Sequence, residues 1–386
     1  MSAALPAGAA SGWRGRAIAL RDRALSLRDR LVADPRFRRL AARFPPTRAL
    51  ARRRAAALFD LCAGFVYSQV LLSCVRLRLF DMLRDGPLAA VEIATRARVP
   101  EDAAGRLLGA AVSLGLLDRR GGDRFGLGPL GAALPGNDGL AAMVEHHAIL
   151  YADLADPVAL LRGEAETGLS RYWAYARAAS PAVLGEERVA EYSSLMAASQ
   201  AMIAEEVLDA FAGLVRHRVL LDVGGGEGAF LCAAAARAPA LRVHLFDLPP
   251  VAARAAARFA RAGLGARSTV TGGDFRRDPL PRGADLLSLV RVLHDHDDEA
   301  ALALLRAARD ALPPGGHLLL AEPMAGTPGA EAMGEAYFGF YLLAMGSGRP
   351  RREEELRAML ARAGFARVAA LRTRMPLLVR VLLARR

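Results

Sequence analysis

The run Asp222-Val223-Gly224-Gly225-Gly226-Glu227-Gly228 constrains the fold more than any other segment. It closes a short apolar stretch, Val219–Val223, and leads into an alanine-rich, helix-like stretch at 228–238. Glycines at such a turn let the backbone approach a ligand without a Cβ in the way. Further apolar runs at Val243–Phe246, Ser268–Thr271, Ala284–Val290 and His317–Ala321 alternate with helix-like segments at 249–262, 298–312 and 352–363. This alternation predicts an α/β domain over 216–386 with a doubly wound, mostly parallel sheet. A last apolar run, Leu377–Leu383, has no helix after it. It suits an antiparallel strand inserted next to the sheet edge, a feature that dinucleotide-binding Rossmann folds generally lack.

The glycines alone do not identify the ligand. Gly224, Gly226 and Ala229 also fit G-x-G-x-x-[GA], the fingerprint of a nicotinamide enzyme. Three strand ends argue for S-adenosylmethionine instead. That cofactor has no pyrophosphate, and its ammonium calls for a carboxylate at the end of the first strand, where Asp222 stands. The second strand ends in Phe246-Asp247-Leu248-Pro249, whose acid can accept both ribose hydroxyls. The third ends in Gly272-Gly273-Asp274-Phe275, an acid for the adenine amino group and a ring to pack on the base. The expected cofactor-binding residues are therefore Asp222, Gly224, Gly225, Gly226, Gly228, Asp247, Leu248, Asp274 and Phe275.

The fourth strand runs into Val290-Arg291-Val292-Leu293-His294-Asp295-His296-Asp297-Asp298, and the fifth ends in Glu322-Pro323. Ligands of open α/β sheets meet at the carboxyl ends of strands, so His294 and Asp295 should face the transferable methyl, with Glu322 beside them. A histidine backed by a carboxylate is a general base held in one tautomer. The expected catalytic residues are His294, Glu322 and Asp295. His296 is a second candidate, and the plain alternative is that either histidine caps the following helix.

Composition removes other chemistries. All 52 basic residues are arginine, so Schiff-base, P-loop-lysine and lysine-base mechanisms are excluded. Cys62, Cys74 and Cys232 form no short-spaced pair, and the histidines repeat no ligand spacing, so no metal is expected. Fourteen arginines against three aspartates give residues 1–54 a net charge of +11, nearly the whole +12 of the chain. Such a basic arm suits an anionic membrane surface or a solvated extension; nucleic acid is not the expected partner. No secretory segment is read in the first residues, and the longest uncharged stretch, Leu61–Val75, is short for a membrane span. The expected location is the cytoplasm, with the arm able to hold the protein on the inner or intracytoplasmic membrane.

At 386 residues the chain calls for more than one domain. Leu58–Phe80 has the apolar density of a buried helix. Over 55–140, three short helices followed by a two-stranded wing around Gly121-Gly122 fit a winged helix. Its second and third helices mix acids (Glu92, Glu101, Asp102) with arginines, a poor phosphate-binding face, which favours dimerisation over DNA. A non-catalytic, DNA-binding regulator is the alternative from another class. Residues 141–215 read as a helical connector with breaks at Pro157 and Pro181.

The motifs DVGGGEG, FDLP, GGDF, VLHDHDDE and LLLAEP resemble the class I small-molecule O-methyltransferases with an N-terminal winged-helix dimerisation domain, whose sheet carries such an inserted antiparallel strand. More narrowly, 59–69, 146–154 and 337–349 resemble the bacterial carotenoid branch. That branch methylates the tertiary 1-hydroxyl of acyclic carotenoids such as hydroxyneurosporene and demethylspheroidene in purple phototrophs. The resemblance implies a homodimeric carotenoid-biosynthesis enzyme using S-adenosylmethionine, with a phenolic or polyketide hydroxyl as the alternative acceptor. Two departures matter. His296 stands where the plant-type pattern H-D-W has tryptophan, and Gly348-Arg349-Pro350-Arg351-Arg352 lacks the second acid of the G-x-E-R-T-like segment. Glu322 would then orient His294 alone. The uncharged stretch 336–348 can line an acceptor tunnel, so His146, Tyr337, Phe340, Tyr341 and Met345 are candidate pocket residues. Core packing is the equal alternative for the aromatic stretch, and the better one for His146 and its neighbour His147, which should point to different helix faces.

Overall fold

A computed structural model describes residues 7–173, 200 and 202–386, in two compact units, Met1–Ser73 and Cys74–Arg386. Helices Ala7–Ala33, Pro35–Arg43 and Pro45–Arg76 make up the described part of the first unit, the last running into the second. Asp34 caps the middle helix by accepting from Arg36 N, and Pro35 sits in its first turn, where a missing N–H costs nothing. The helix expected over Leu58–Phe80 instead begins at Pro45 and stops at Arg76. Its first half is not buried as expected: Leu58, Phe59, Leu61 and Phe65 are exposed in the single chain. With Asp60 tolerated inside the window, this helix is long and apolar enough to cross a membrane by length and composition alone, although its longest uncharged run is shorter.

In the second unit, helices Leu79–Met82, Ala90–Ala97 and Glu101–Ser113 precede the hairpin β2 (Leu117–Arg120) and β3 (Arg124–Leu127). The wing has one strand more than expected: β1 (Leu88–Ala89) pairs with β3 through Leu88↔Phe125. Helices Asp138–Asp153, Pro157–Leu161 and Gly168–Tyr172 follow. The break before Pro157 is where Asp156 caps the next helix from Val158 N and Ala159 N. The break expected at Pro181 lies outside the described residues.

The main sheet contains β4 (Val219–Val223), β5 (Arg242–Asp247), β6 (Ser268–Gly272), β7 (Leu286–Val290), β8 (His317–Glu322), β9 (Arg367–Leu371) and β10 (Arg380–Arg385). Their order is β6-β5-β4-β7-β8-β10-β9. The first five are parallel, and β10 enters antiparallel between β8 and β9, the inserted strand expected from the C-terminal apolar run. Both faces of the sheet are covered, which is why its strands read as apolar runs without alternation. Leu221, Leu287, Leu320 and Leu382 enter one core, with Leu304, Leu305 and Leu360 from helices Asp298–Ala311 and Glu353–Arg362. Their neighbours Leu220, Leu286, Leu319 and Val381 enter the other, against Leu231 and Phe259 from helices Ala229–Arg237 and Pro249–Arg261. Strand β9 escaped notice because its largely exposed residues, Arg367 to Leu371, carry no apolar stripe.

Candidate active site

The parallel strands all end at one rim, and the acids read from the sequence stand on it. Asp222 is the penultimate residue of β4 and is fully buried. Ser288 Oγ donates to its Oδ1 at 2.6 Å, while Oδ2 has no hydrogen-bond partner. Burial holds this carboxyl up at about 7 against the Ser288 hydrogen bond. The glycine turn is built around it: a Cβ on Gly225 would lie 2.2 Å from Asp222 Oδ2, and Gly224, Gly226 and Gly228 all have positive φ. A buried, unpaired carboxylate oxygen under bare backbone is the donor set an ammonium needs, so the turn fits the amino-acid end of S-adenosylmethionine.

Asp247 ends β5 and accepts from Gly226 N at 2.8 Å and Leu248 N at 2.7 Å, which fixes the glycine turn against the second strand. Burial raises its carboxyl to about 6 despite these two hydrogen bonds. Leu248 is the N-cap of the next helix. Glu227 pairs with Arg254 and Arg258, tying the same turn to that helix. Asp274 is buried beyond β6; its Oδ1 accepts from Arg276 N and Nε. Phe275 meets the His296 ring edge-on, with centroids 5.1 Å apart.

Beyond β7 the backbone is forced. Arg291 has φ 58, a left-handed conformation that costs a side-chain-bearing residue energy and turns the chain into a short helix, Leu293–Asp295. His294 is buried there. Its Nδ1 lies 2.5 Å from Glu322 Oε2 at the end of β8, and its Nε2 lies 3.2 Å from Asp295 Oδ1. Glu322 Oε1 accepts from Val292 N and Leu293 N, so one carboxylate sets both the loop and the ring. Burial alone would lower the His294 pKa, but Asp295 and Glu322 together carry it above the ordinary value. His296 is lowered, because burial, with Arg276 and His294 beside it, outweighs the raising effect of Asp295 and Glu322. Neither histidine caps the following helix, whose N-cap is Asp297.

The acceptor candidates gather in one aromatic layer. Ala332–Phe338 is a π-helix that continues as the α-helix Gly339–Met345, and π-turns are frequent at functional sites. Tyr341 OH lies 2.7 Å from His146 Nε2 and accepts from Trp173 Nε1 at 2.8 Å; Tyr337 OH lies 2.7 Å from His147 Nε2. Since the indole only donates, the Tyr341 oxygen accepts from Trp173, which leaves its hydroxyl proton able to go to His146 Nε2. Burial, with His147 alongside, lowers His146 to about 4. Adjacent histidines were expected to diverge, yet both reach this pair of tyrosines, because Tyr337 and Tyr341 straddle the facing helix one turn apart. Phe338 faces the other way, its ring 5.7 Å from His294. Phe340 packs against the same cluster, and Met345 is buried within it beside Leu150, Leu169 and Trp173.

Several contributors went unread. Ser288 lay inside an apolar strand, Trp173 in a stretch without pattern, and Arg351 among 52 arginines. Yet Arg351 is 2% exposed and donates into the His294 loop. Among the described residues, no group of three or more histidines, cysteines and acids is spaced to hold a metal ion.

Known proteins resemble this chain over most of its length. The O-methyltransferase domain family matches residues 151–366, and the O-methyltransferase dimerisation domain matches 59–135. Demethylspheroidene O-methyltransferase of Cereibacter sphaeroides is 44% identical over 338 residues, 88% of this chain and 89% of that one. The protein of the same name from Rhodobacter capsulatus is 41% identical over 357 residues, covering 92% and 88%. Among solved structures, human N-acetylserotonin methyltransferase in complex with SAM superimposes with a TM-score of 0.72 at 25% identity, over 86% of this chain and 97% of that one.

Proposed function

This chain belongs to the O-methyltransferase family and uses S-adenosylmethionine, and from that premise we propose that it methylates the tertiary 1-hydroxyl of an acyclic hydroxycarotenoid. The observation that carries the chemistry is the buried pair His294–Glu322 at the carboxyl ends of β7 and β8. The carotenoid acceptor is supported by the two relatives named for demethylspheroidene, each similar over most of both chains.

When bound, S-adenosylmethionine supplies an activated sulfonium methyl group. Asp222 would hold its ammonium, Asp247 its ribose hydroxyls, and Asp274 with Phe275 its adenine. His294 is the general base. Glu322 accepts the Nδ1 proton, which leaves the Nε2 lone pair to receive the acceptor's hydroxyl proton. A tertiary alcohol is a far weaker acid than a phenol, so this proton moves late, as the methyl arrives. Two carboxylates around one imidazole suit that task. They raise its basicity, and once Nε2 is protonated Asp295 and Glu322 stabilise the imidazolium from both sides. Burial keeps water from the reacting hydroxyl, so most of the acceleration comes from alignment. The Tyr337–Tyr341–His146–Trp173 layer, joined to His294 through Phe338, is an apolar wall with fixed polar tips, suited to a long polyene.

The dimerisation domain supports a homodimer, and the exposed Leu58, Phe59, Leu61 and Phe65 suit burial by a second copy. The protein is placed in the cytoplasm by this reading, with the arginine-rich arm holding it at an anionic membrane surface where an apolar acceptor dissolves. Purified protein given S-adenosylmethionine and 1-hydroxyneurosporene should form the methoxy product and S-adenosylhomocysteine. Turnover of a panel of phenols in preference to the hydroxycarotenoid would overturn the acceptor assignment.

A further inference from the structure

Four consecutive carbonyls of the loop that carries His294 are each held by one segment, Ser347–Arg351. Arg351 Nη1 donates to Leu293 O at 2.8 Å, Arg349 N to His294 O at 3.0 Å, Ser347 Oγ to Asp295 O at 2.9 Å, and Arg351 Nη2 to His296 O at 2.6 Å. Gly348 passes so close that a Cβ on it would lie 2.0 Å from His294 O, and its φ of +79 needs glycine in any case. Asp298 closes the arrangement by accepting from Arg351 Nε and from Arg349, and Gly348 N donates to Asp297 Oδ1.

We propose that Arg351 is a positioning residue for the methyl transfer: its planar fork fixes the His294 loop and couples it to the helix that carries Tyr337, Phe338 and Tyr341. This proposal rests on His294 being the base. It answers a departure noted in the sequence, because this segment lacks the acid expected near the base. Here the segment acts on the backbone that presents the imidazole, through a buried guanidinium, and leaves the ring to Glu322 and Asp295. Helix Gly339–Met345 ends at Gly346, one residue before the clamp, so a shift of the acceptor-side helix is transmitted directly to the loop. Arginine is suited to this work because its fork donates along fixed directions, whereas a lysine ammonium is a single point on a flexible stem.

The groups facing His294 are Asp295, Glu322, Arg291 and His296; Arg351 is not among them. Its loss therefore reaches the base only through geometry, and the test uses that. In Arg351→Ala, S-adenosylmethionine affinity should stay within about threefold, because Asp222, Asp247 and Asp274 lie on other strands. The kcat should fall on the order of a hundredfold with little change in KM, the scale of a small misplacement of reacting groups. The acidic limb of the pH–rate profile should move towards lower pH as the imidazole loses its hold on Glu322. Free guanidinium ion should restore part of the kcat, and Arg351→Lys should not match the wild type. Should Arg351→Ala fail to fold, Arg351→Lys and Ser347→Ala carry the test, the latter expected to lose about fivefold in kcat with unchanged cofactor affinity. Wild-type kcat and an unmoved pH limb in the folded variants would overturn the proposal. His294→Ala run in parallel separates the two claims: an inactive His294→Ala beside fully active clamp variants refutes only the clamp, and an active His294→Ala refutes the base.

Discussion

His294 Nδ1 and Glu322 Oε2 are 2.5 Å apart, and the other oxygen of that carboxylate holds Val292 N and Leu293 N at the turn that presents the ring. A single side chain at the end of β8 therefore decides the tautomer of the imidazole and its place, and with Asp295 raises its basicity. Because the acid sits on a strand and the histidine on the loop after the neighbouring strand, the parallel pairing of β7 with β8 is itself part of the site.

Replacing His294 with alanine should lower kcat by about 10² to 10⁴ while calorimetry shows unchanged S-adenosylmethionine binding. Glu322→Gln should do nearly as much harm. The amide oxygen can still accept the two backbone N–H groups, but the amide NH₂ then faces Nδ1 and forces the ring proton onto Nε2, where the base must be bare.

The rate should rise with pH along a limb that lies above the ordinary histidine range, since the His294 pKa is raised by Asp295 and Glu322 over the opposing effect of burial. Stability carries the same signature. A folded-state pKa above the unfolded value means that the contribution of protonated His294 is complete below about pH 6.5 and is lost as pH rises through the folded value. The Tm difference between wild type and His294→Ala, followed from acid to alkaline pH, should shrink in that window; a constant difference would contradict the pairing.

Asp222→Asn should weaken S-adenosylmethionine binding by at least about tenfold, the scale of one charged hydrogen bond, and should stabilise the cofactor-free protein. Its folded carboxyl stands at about 7, far above an unfolded aspartate at about 4, so wild-type stability falls as pH climbs between those two values and the loss is complete above the folded one. Above neutrality the variant should melt a few degrees higher than wild type. Scanning calorimetry with and without cofactor checks both signs.

Tyr341→Phe removes the acceptor of Trp173 Nε1–H and the partner of His146 Nε2 in one step. Stranding buried polar groups costs about 1–3 kcal/mol, so Tm should drop by several degrees. If this layer lines the acceptor, KM for 1-hydroxyneurosporene should rise severalfold with cofactor affinity unchanged. An unaltered KM beside a lowered Tm would make the layer core alone.

Deleting residues 1–54 removes net charge of +11 together with exposed Ile18, Leu20, Leu27, Leu31 and Phe44. Sedimentation with anionic vesicles should be lost, and binding of the full chain should weaken with salt. Turnover of detergent-dispersed acceptor should persist. Vesicle binding that survives the deletion would move the membrane contact elsewhere.

Much of the site was legible because its residues sit where local pattern changes. Asp222, Asp247 and Asp274 each end an apolar run, His294 follows another, and Glu322 closes the next, so strand ends could be read without coordinates. What resisted were residues whose neighbours conceal them. Ser288 lies within the apolar Leu286–Val290, Arg351 within a basic stretch, and the π-helix Ala332–Phe338 shows no α-period to recognise. Exposure misled once: Leu58, Leu61 and Phe65 have the composition of a core helix, but the face they form is uncovered in one chain.

The sequence by itself determined the alternation of strands and helices, the glycine turn under Asp222, and the ordered set of acids that selects the cofactor, since each depends on spacing along the chain. Tertiary structure decided the rest. Whether Glu322 or a later acid orients His294, how His146 and His147 reach the same two tyrosines, and why Arg351 is buried are matters of distance between segments far apart in sequence. Those distances follow from strand order, because β8 pairs with β7 and the segment after the acceptor-side helix folds back beneath it.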